Sequence, residues 1–318
     1  MKNYRFSQRA LVIFTYVLTT LFSLQAQTPA SSVPVQMTVT LAVQGEGKRI
    51  PVVNHEDVIV KQGKDRLQVA SWTPARGDRA GLDLFILIDD ASDSSLGLQL
   101  NDLRSFINNQ SPTTSVGVGY MRNGIVQIAQ NFTTDHAAAA KALRLPLGST
   151  GAYGSPYLSV MDLMKRWPEH TNRREVIMVT DGIDRARRGW GGRGLGLFSP
   201  DVDSASSVAQ RTGTIIHSIY SPGVGRLRHN FWEANNGQIG IAKLSDETGG
   251  ESFFLGLQAP VAFQPYLDRI QNVLENQYLL TFHATPGKSG GLQYVSLTTE
   301  VAGVELASAN SVWVRSEK

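Results

Sequence analysis

LFILIDDASDSS, at residues 84–95, is the stretch on which the fold turns. Leu84, Phe85, Ile86, Leu87 and Ile88 form a short unbroken apolar run, the pattern of a central parallel strand covered by helices on both faces. The run ends in oxygen chemistry, with Asp89, Asp90 and Asp93 interspersed among Ser92, Ser94 and Ser95. In open α/β sheets ligands bind just outside the carboxyl ends of the strands, which is where Asp90, Ser92 and Ser94 fall. The spacing Asp90-x-Ser92-x-Ser94 can turn alternate side chains of a tight turn to one side, so that a carboxylate and two hydroxyls converge on one hard cation. Such oxygens suit Mg²⁺ or Mn²⁺, and no nearby Cys or His favours a softer metal. Two neutral hydroxyls would leave the ion electrophilic and able to accept one more anionic oxygen from outside.

A second segment, VIMVTDGID at residues 176–184, reads as another apolar strand, ending in Thr180-Asp181-Gly182. Between the two, Gly154-Ser155-Pro156 opens a helical pattern, with Ser155 as a natural N-cap and Pro156 at the first helical position. Gly148-Ser149-Thr150 offers a threonine a few residues earlier. Taken together these segments resemble the von Willebrand factor type A (VWA) family. Its metal-ion-dependent adhesion site begins with Asp-x-Ser-x-Ser after the first strand, adds a Thr at a helix start, and ends on the Asp of a later Thr-Asp-Gly. The resemblance carries that site onto Asp90, Ser92, Ser94, Ser155 and Asp181, with Thr150 as the competitor of Ser155. Ser155 is favoured because a ligand held at a helix start is better fixed than one in a loop.

The resemblance implies that Ser92, Ser94 and the third hydroxyl ligate Mg²⁺ (or Mn²⁺) directly and that the two Asp residues often act through water. A carboxylate presented by a partner protein would complete the shell. Asp93 stands where the family often has Gly, Ser95 where Met is common, and Ser155 where Thr is usual. The likeness spans residues 83–275 and implies a Rossmann-like α/β domain, a mostly parallel sheet flanked by helices.

The 318 residues are 42% hydrophobic and 18% charged, enough for one large or two modest cores. A net charge of +3 over this length is no argument for nucleic-acid binding. Lys2, Arg5 and Arg9 precede the apolar stretch of residues 10–24, which is short for a membrane span. With Ala26 after it, this reads as a secretory signal over residues 1–26, cleaved after Ala26, so the expected location is periplasmic or extracellular with no membrane span in the mature chain. The alternative is an uncleaved amino-terminal anchor. There is no cysteine, so no disulfide or Cys-ligated metal supports the fold.

Residues 27–34 read as a flexible leader and residues 45–48 as a turn, while 35–43, 55–60 and 66–72 carry strand patterns in an amino-terminal β segment of residues 35–80. From residue 83 strands and helices alternate. Asn123-Gly124 predicts a tight hairpin between strands at 115–122 and 125–132. Helices are predicted over 96–107, 135–143, 155–167, 201–211, 239–248 and 264–276, and further strands over 175–180, 214–220 and 251–255. Strands at 278–284, 292–300 and 312–315 form a carboxyl-terminal β segment, residues 277–318. Each β segment is too small to stand alone, so the expectation is that the two pair into one β-sandwich from which the α/β domain is inserted. This arrangement, with Asp89-Asp90 and the stretch NQYLL at residues 276–280, resembles secreted bacterial VWA-related proteins of the acidobacterial type.

Several motifs carry less than they suggest. Arg76-Gly77-Asp78 lies in a linker where such a tripeptide arises easily. Gly189, Gly191 and Gly194 match GxGxxG but do not join a strand to a helix, and Gly287-Lys288-Ser289 lacks both the first Gly and the helix of a phosphate loop. Arg185, Arg187, Arg188 and Arg193 could line the rim of the metal face and favour acidic partners, or simply be solvated. His217 within an apolar strand reads as a satisfied core residue, and Asp89 as an acceptor within the turn. The six histidines show no metal or catalytic spacing, and no Gly-x-Ser-x-Gly elbow is present. The function expected is therefore a non-enzymatic, adhesion-type protein-binding module. The alternatives are a metal-assisted hydrolase and a structural envelope protein whose site is empty.

Overall fold

A computed structural model of the chain describes residues 32–43, 50–149, 154–169, 172–186, 200–224 and 230–316. The expected export signal, most of the expected leader, the expected turn at 45–48, Thr150, Arg187, Arg188, Arg193 and the glycines of the GxGxxG match lie outside the described residues.

The amino-terminal segment forms β1 (Val33–Val43), β2 (Val58–Gln62), β3 (Asp65–Leu67) and β4 (Val69–Pro74). The chain then alternates through β5 (Leu82–Asp89), α1 (Leu100–Asn108), β6 (Thr114–Arg122), β7 (Ile125–Thr133), α2 (His136–Lys141) and α3 (Pro156–Lys165). It continues through β8 (Arg173–Thr180), α4 (Pro200–Thr212), β9 (Thr214–Tyr220), α5 (Phe231–Thr248), β10 (Ser252–Phe253) and α6 (Gln264–Glu275). The carboxyl-terminal strands are β11 (Gln277–Ala284), β12 (Gly291–Tyr294), β13 (Ser296–Thr299), β14 (Val304–Ala307) and β15 (Ser311–Val314).

Six strands make the central sheet in the order β10-β9-β8-β5-β6-β7, parallel except for β7. The apolar run of β5 is buried throughout because its alternate side chains enter two different cores. Leu84, Ile86 and Ile88 pack in the layer with Leu103 of α1, Ala139 of α2 and Leu267 of α6. Phe85 and Leu87 pack in the opposite layer with Val160 of α3, Ala205 of α4 and Leu244 of α5. The β6–β7 turn is made by Asn123 (φ 55°) and Gly124 (φ 70°), the paired left-handed residues a two-residue hairpin needs.

Strands from the two ends of the chain share sheets. One has the order β14-β1-β11-β4 and another β13-β2-β3, around a core that includes Val39, Val60, Leu280 and Val314. β1 runs antiparallel to β11 from Val33↔Ala284 to Thr40↔Gln277. A buried polar cluster links these strands to the central sheet. Glu175 of β8 accepts from Gln277 Nε2 at 2.6 Å and bonds His217 Nε2 at 2.9 Å. Because the backbone N–H of Glu251 donates to His217 Nδ1 at 3.0 Å, the ring proton sits on Nε2 and points at Glu175. His217 is thus a satisfied core residue.

Several boundaries differ from the sequence expectation. Residues 55–57 form a 3₁₀ turn before β2 rather than the start of a strand. α5 begins at Phe231, not at residue 239, capped by Asn230, whose side chain accepts from the Trp232 N–H at 3.1 Å. Gly237, Gly240 and the exposed Phe231 and Trp232 obscure its periodicity. The stretch 292–300 splits, β12 pairing with β15 and β13 with β2, and β14 had no counterpart among the expected strands.

Candidate functional site

β5 connects through α1 to β6 on one side, while its other neighbour, β8, arrives from α3. The carboxyl ends of β5 and β8 therefore flank the point where the strand order reverses, the usual ligand crevice of an open α/β sheet. Asp89, Asp90 and Ser92 leave β5 there, Asp181 leaves β8, and Gly223 follows β9.

Asp89 closes the turn. Its Oδ1 accepts from the Ala91 N–H at 2.9 Å, its Oδ2 from the Thr180 hydroxyl at 2.8 Å, and its carbonyl from the Ser92 N–H at 2.9 Å. Burial, with the neighbouring Asp181 carboxylate, pushes the Asp89 carboxyl up to about 6. The folded state then binds this proton more tightly than the unfolded chain, so the contribution of Asp89 to stability falls as pH rises from about 4 through about 6. Asp89→Asn should remove that fall. Against the wild type the variant is expected to be about 2 kcal/mol more stable at pH 7.5 and at parity near pH 4, as read from urea midpoints. A wild-type stability that is flat across this range would contradict the buried carboxyl.

Asp90 turns the other way. Arg144, in the loop between α2 and α3, holds both of its oxygens, Nη1 to Oδ1 at 2.7 Å and Nη2 to Oδ2 at 3.0 Å. The Leu147 N–H adds a bond to Oδ1 at 3.2 Å. The guanidinium lies 3.7 Å from the centre of the Tyr120 ring, and Nη1 also reaches the Leu145 carbonyl at 2.8 Å. The Arg144 N–H donates to Tyr120 Oη at 2.6 Å.

Asp181 is held in the same fashion by Arg185, one turn further along its own segment. Arg185 Nη1 donates to Oδ1 at 3.0 Å and Nη2 to Oδ2, and Oδ1 also accepts from the Ile183 N–H at 2.9 Å. The Arg185 side chain is 12% exposed, so it is turned inward and not displayed at a rim. Its N–H donates to the Gly154 carbonyl at 2.7 Å, tying the start of α3 to this segment. A side chain on Gly223 would overlap Asp181 Oδ2 and come within 2.7 Å of Arg185 Nη2, so only glycine lets the β9 loop close over the pair.

The hydroxyls fall into different settings. Ser92 forms a bridge with Gly223, and its Oγ is buried without a hydrogen-bond partner among the described residues. Ser94 is exposed and begins a 3₁₀ turn capped by Asp93. Ser155 caps α3, its Oγ accepting from the Leu158 N–H at 3.4 Å, and shares one small cavity with Asp89 and Arg185. Asp89, Ser92, Ser155 and Asp181 thus gather around Arg185 and Gly223, while Asp90 belongs to the Arg144 loop.

Against a divalent cation, this donor set fits in kind and not in availability. Oxygen donors are present, yet all four carboxylate oxygens of Asp90 and Asp181 are engaged by guanidinium groups. Arg144 and Tyr120 carried no sequence signal, since both approach Asp90 only through the tertiary fold.

No family model matches the chain, and no curated protein matches it. Solved structures do. A VWA protein from Catenulispora acidiphila is similar at 11% identity and a TM-score of 0.42, over 89% of this chain and 75% of that one. An aerotolerance-related membrane protein from Bacteroides fragilis is similar at 12% identity and a TM-score of 0.41, over 61% of this chain and 98% of that one. The ArnB paralogue VWA2 from Sulfolobus acidocaldarius is similar at 10% identity and a TM-score of 0.37, over 91% of this chain and 76% of that one. Among the described residues no helix is long and apolar enough to cross a membrane.

Proposed function

We propose that this chain is an exported, non-enzymatic protein-interaction module of VWA type that docks a carboxylate-bearing partner on the loops at the carboxyl ends of its central sheet. One observation carries this reading: exposed apolar side chains stand beside a site whose charges are already paired. Leu145 and Leu147, on the loop that holds Asp90, and Leu98, at the end of the 3₁₀ turn after β5, are more than half exposed, as are Phe231 and Trp232 at the start of α5. Apolar area around paired polar groups is the make-up of a docking face. Among the described residues His55, His136 and His217 bond to Val69, Thr114 and Glu175 rather than to these carboxylates.

A second reading draws support from the buried Ser92 hydroxyl, which has no hydrogen-bond partner among the described residues. In it the same face takes Mg²⁺ or Mn²⁺ among Ser92, Ser94, Ser155, Asp90 and Asp181 to bridge a partner's carboxylate.

The test is binding of an acidic peptide library to the immobilised chain, compared with Leu98→Ser/Leu145→Ser/Leu147→Ser. A loss of at least about tenfold in affinity, at unchanged melting temperature, is expected. Equal binding by the variant would remove the docking face, and ester or phosphoester turnover lost in Asp89→Asn would favour the hydrolase.

A further inference from the structure

We propose that Arg144 and Arg185 take the place of a divalent cation at this site, with Arg144 as the group that receives a partner's carboxylate; this rests on the docking reading above. Two guanidinium groups bring the same formal charge as one Mg²⁺. They deliver it to the two carboxylates, Asp90 and Asp181, that a cation would need. Each pair is a planar fork against a carboxylate, the geometry in which arginine binds most specifically.

The two arginines divide the work. Arg185 is buried and compensates the Asp181 carboxylate beside Asp89, a cluster that would otherwise repel itself. Arg144 has a side chain 40% exposed and is pinned from three directions, by Asp90, by the Tyr120 ring and by the Leu145 carbonyl. Asp90 and Leu145 use both hydrogens of Nη1 and one of Nη2. Among the described residues nothing takes the Nε–H or the other Nη2–H. These lie on one edge of the guanidinium, an adjacent donor pair that matches the two oxygens of an incoming carboxylate. Because Arg144 is held before the partner arrives, little side-chain freedom is lost on binding. The neighbouring Leu145 and Leu147 supply apolar contact around that edge.

The experiment is thermal unfolding of the full chain with millimolar Mg²⁺ or Mn²⁺, comparing wild type with Arg144→Gln/Arg185→Gln. The wild type should not shift. The double variant, with its carboxylates released, should rise by roughly 3 °C or more as the ion restores the missing charge. An ion-dependent rise in the wild type overturns the proposal. So does the absence of a response in both proteins, because the arginines would then not be filling a cation's place.

Should the double variant fail to fold, Mn²⁺ binding to Arg144→Gln, read by water-proton relaxation, replaces it. Binding to the variant and none to the wild type is expected, and equal or reversed binding refutes the assignment. In the peptide assay, Arg144→Gln should lose at least about tenfold in affinity, while EDTA leaves the wild type unchanged. If the wild type binds no acidic peptide, the docking reading falls, and the ion titration still decides whether the arginines stand in for a cation.

Discussion

Asp181→Ala should lower the stability of the fold by about 3–5 kcal/mol, the range seen when one partner of a buried ion pair is removed. The cost arises in what is left behind. Among the described residues Arg185 then keeps the Ile183 carbonyl, at 3.2 Å, and the fields of Asp89 and Glu233, in a place where its side chain is 12% exposed. Asp90→Ala removes an equally buried carboxylate but strands Arg144, whose side chain is 40% exposed and can recover water, so its cost should be the smaller of the two. Urea unfolding of both variants gives the comparison. Adding Arg185→Ala to Asp181→Ala should cost less than the sum of the single losses, the signature of a coupled pair. A loss under about 1 kcal/mol in Asp181→Ala would mean that Arg185 is not committed to it. The same arithmetic bears on functional assays, because an Asp-to-Ala change here alters folding as well as binding.

Gly182→Ala is expected to cost about 3 kcal/mol, from a left-handed backbone together with overpacking. Gly182 sits at φ +71°, and a side chain there would overlap the Gly237 carbonyl of α5 and come within 2.7 Å of Ile241 Cγ2. The contact is reciprocal, since a side chain on Gly237 would overlap the Asp181 carbonyl. Gly237→Ala should therefore destabilise as well, although alanine in a helix interior ordinarily gains about 1 kcal/mol over glycine. If denaturation finds Gly237→Ala neutral or stabilising, α5 does not press its backbone on the Thr180–Gly182 turn. The Tyr157 hydroxyl, donating to the Gly182 carbonyl at 2.8 Å, braces the turn from α3.

What the sequence disclosed follows the range of the interactions involved. β5 and β8 are legible because burial on both faces leaves a continuous apolar run, and the β6–β7 turn because Asn123-Gly124 is a local rule. Ser155 announces itself as a cap because the cap and its helix are contiguous. The pairing of Asp90 with Arg144 has no such trace. Nothing near Asp90 distinguishes an aspartate that awaits a cation from one already matched by an arginine in the loop after α2. Arg185 could be placed near Asp181 from sequence, but whether it faced solvent or the carboxylate depends on Gly223 arriving from β9. The sequence pattern shows only the second half of α5 because the glycines that let it approach the site are the residues that mask a helical pattern.

In the sheet ordered β14-β1-β11-β4, the strands β1 and β4 do not pair with each other; β11 stands between them. The first strands of this body to leave the ribosome are thus among the last to be completed. Until β11 exists, Met37, Val39 and Leu41 belong to an edge with no partner, while neighbouring elements such as β5, α1 and β6 already have theirs. Pairing across so long a stretch of chain is slow and leaves sticky intermediates. Folding is therefore expected to start in the middle of the sequence, with β11 joining the two halves of the sheet as a late step.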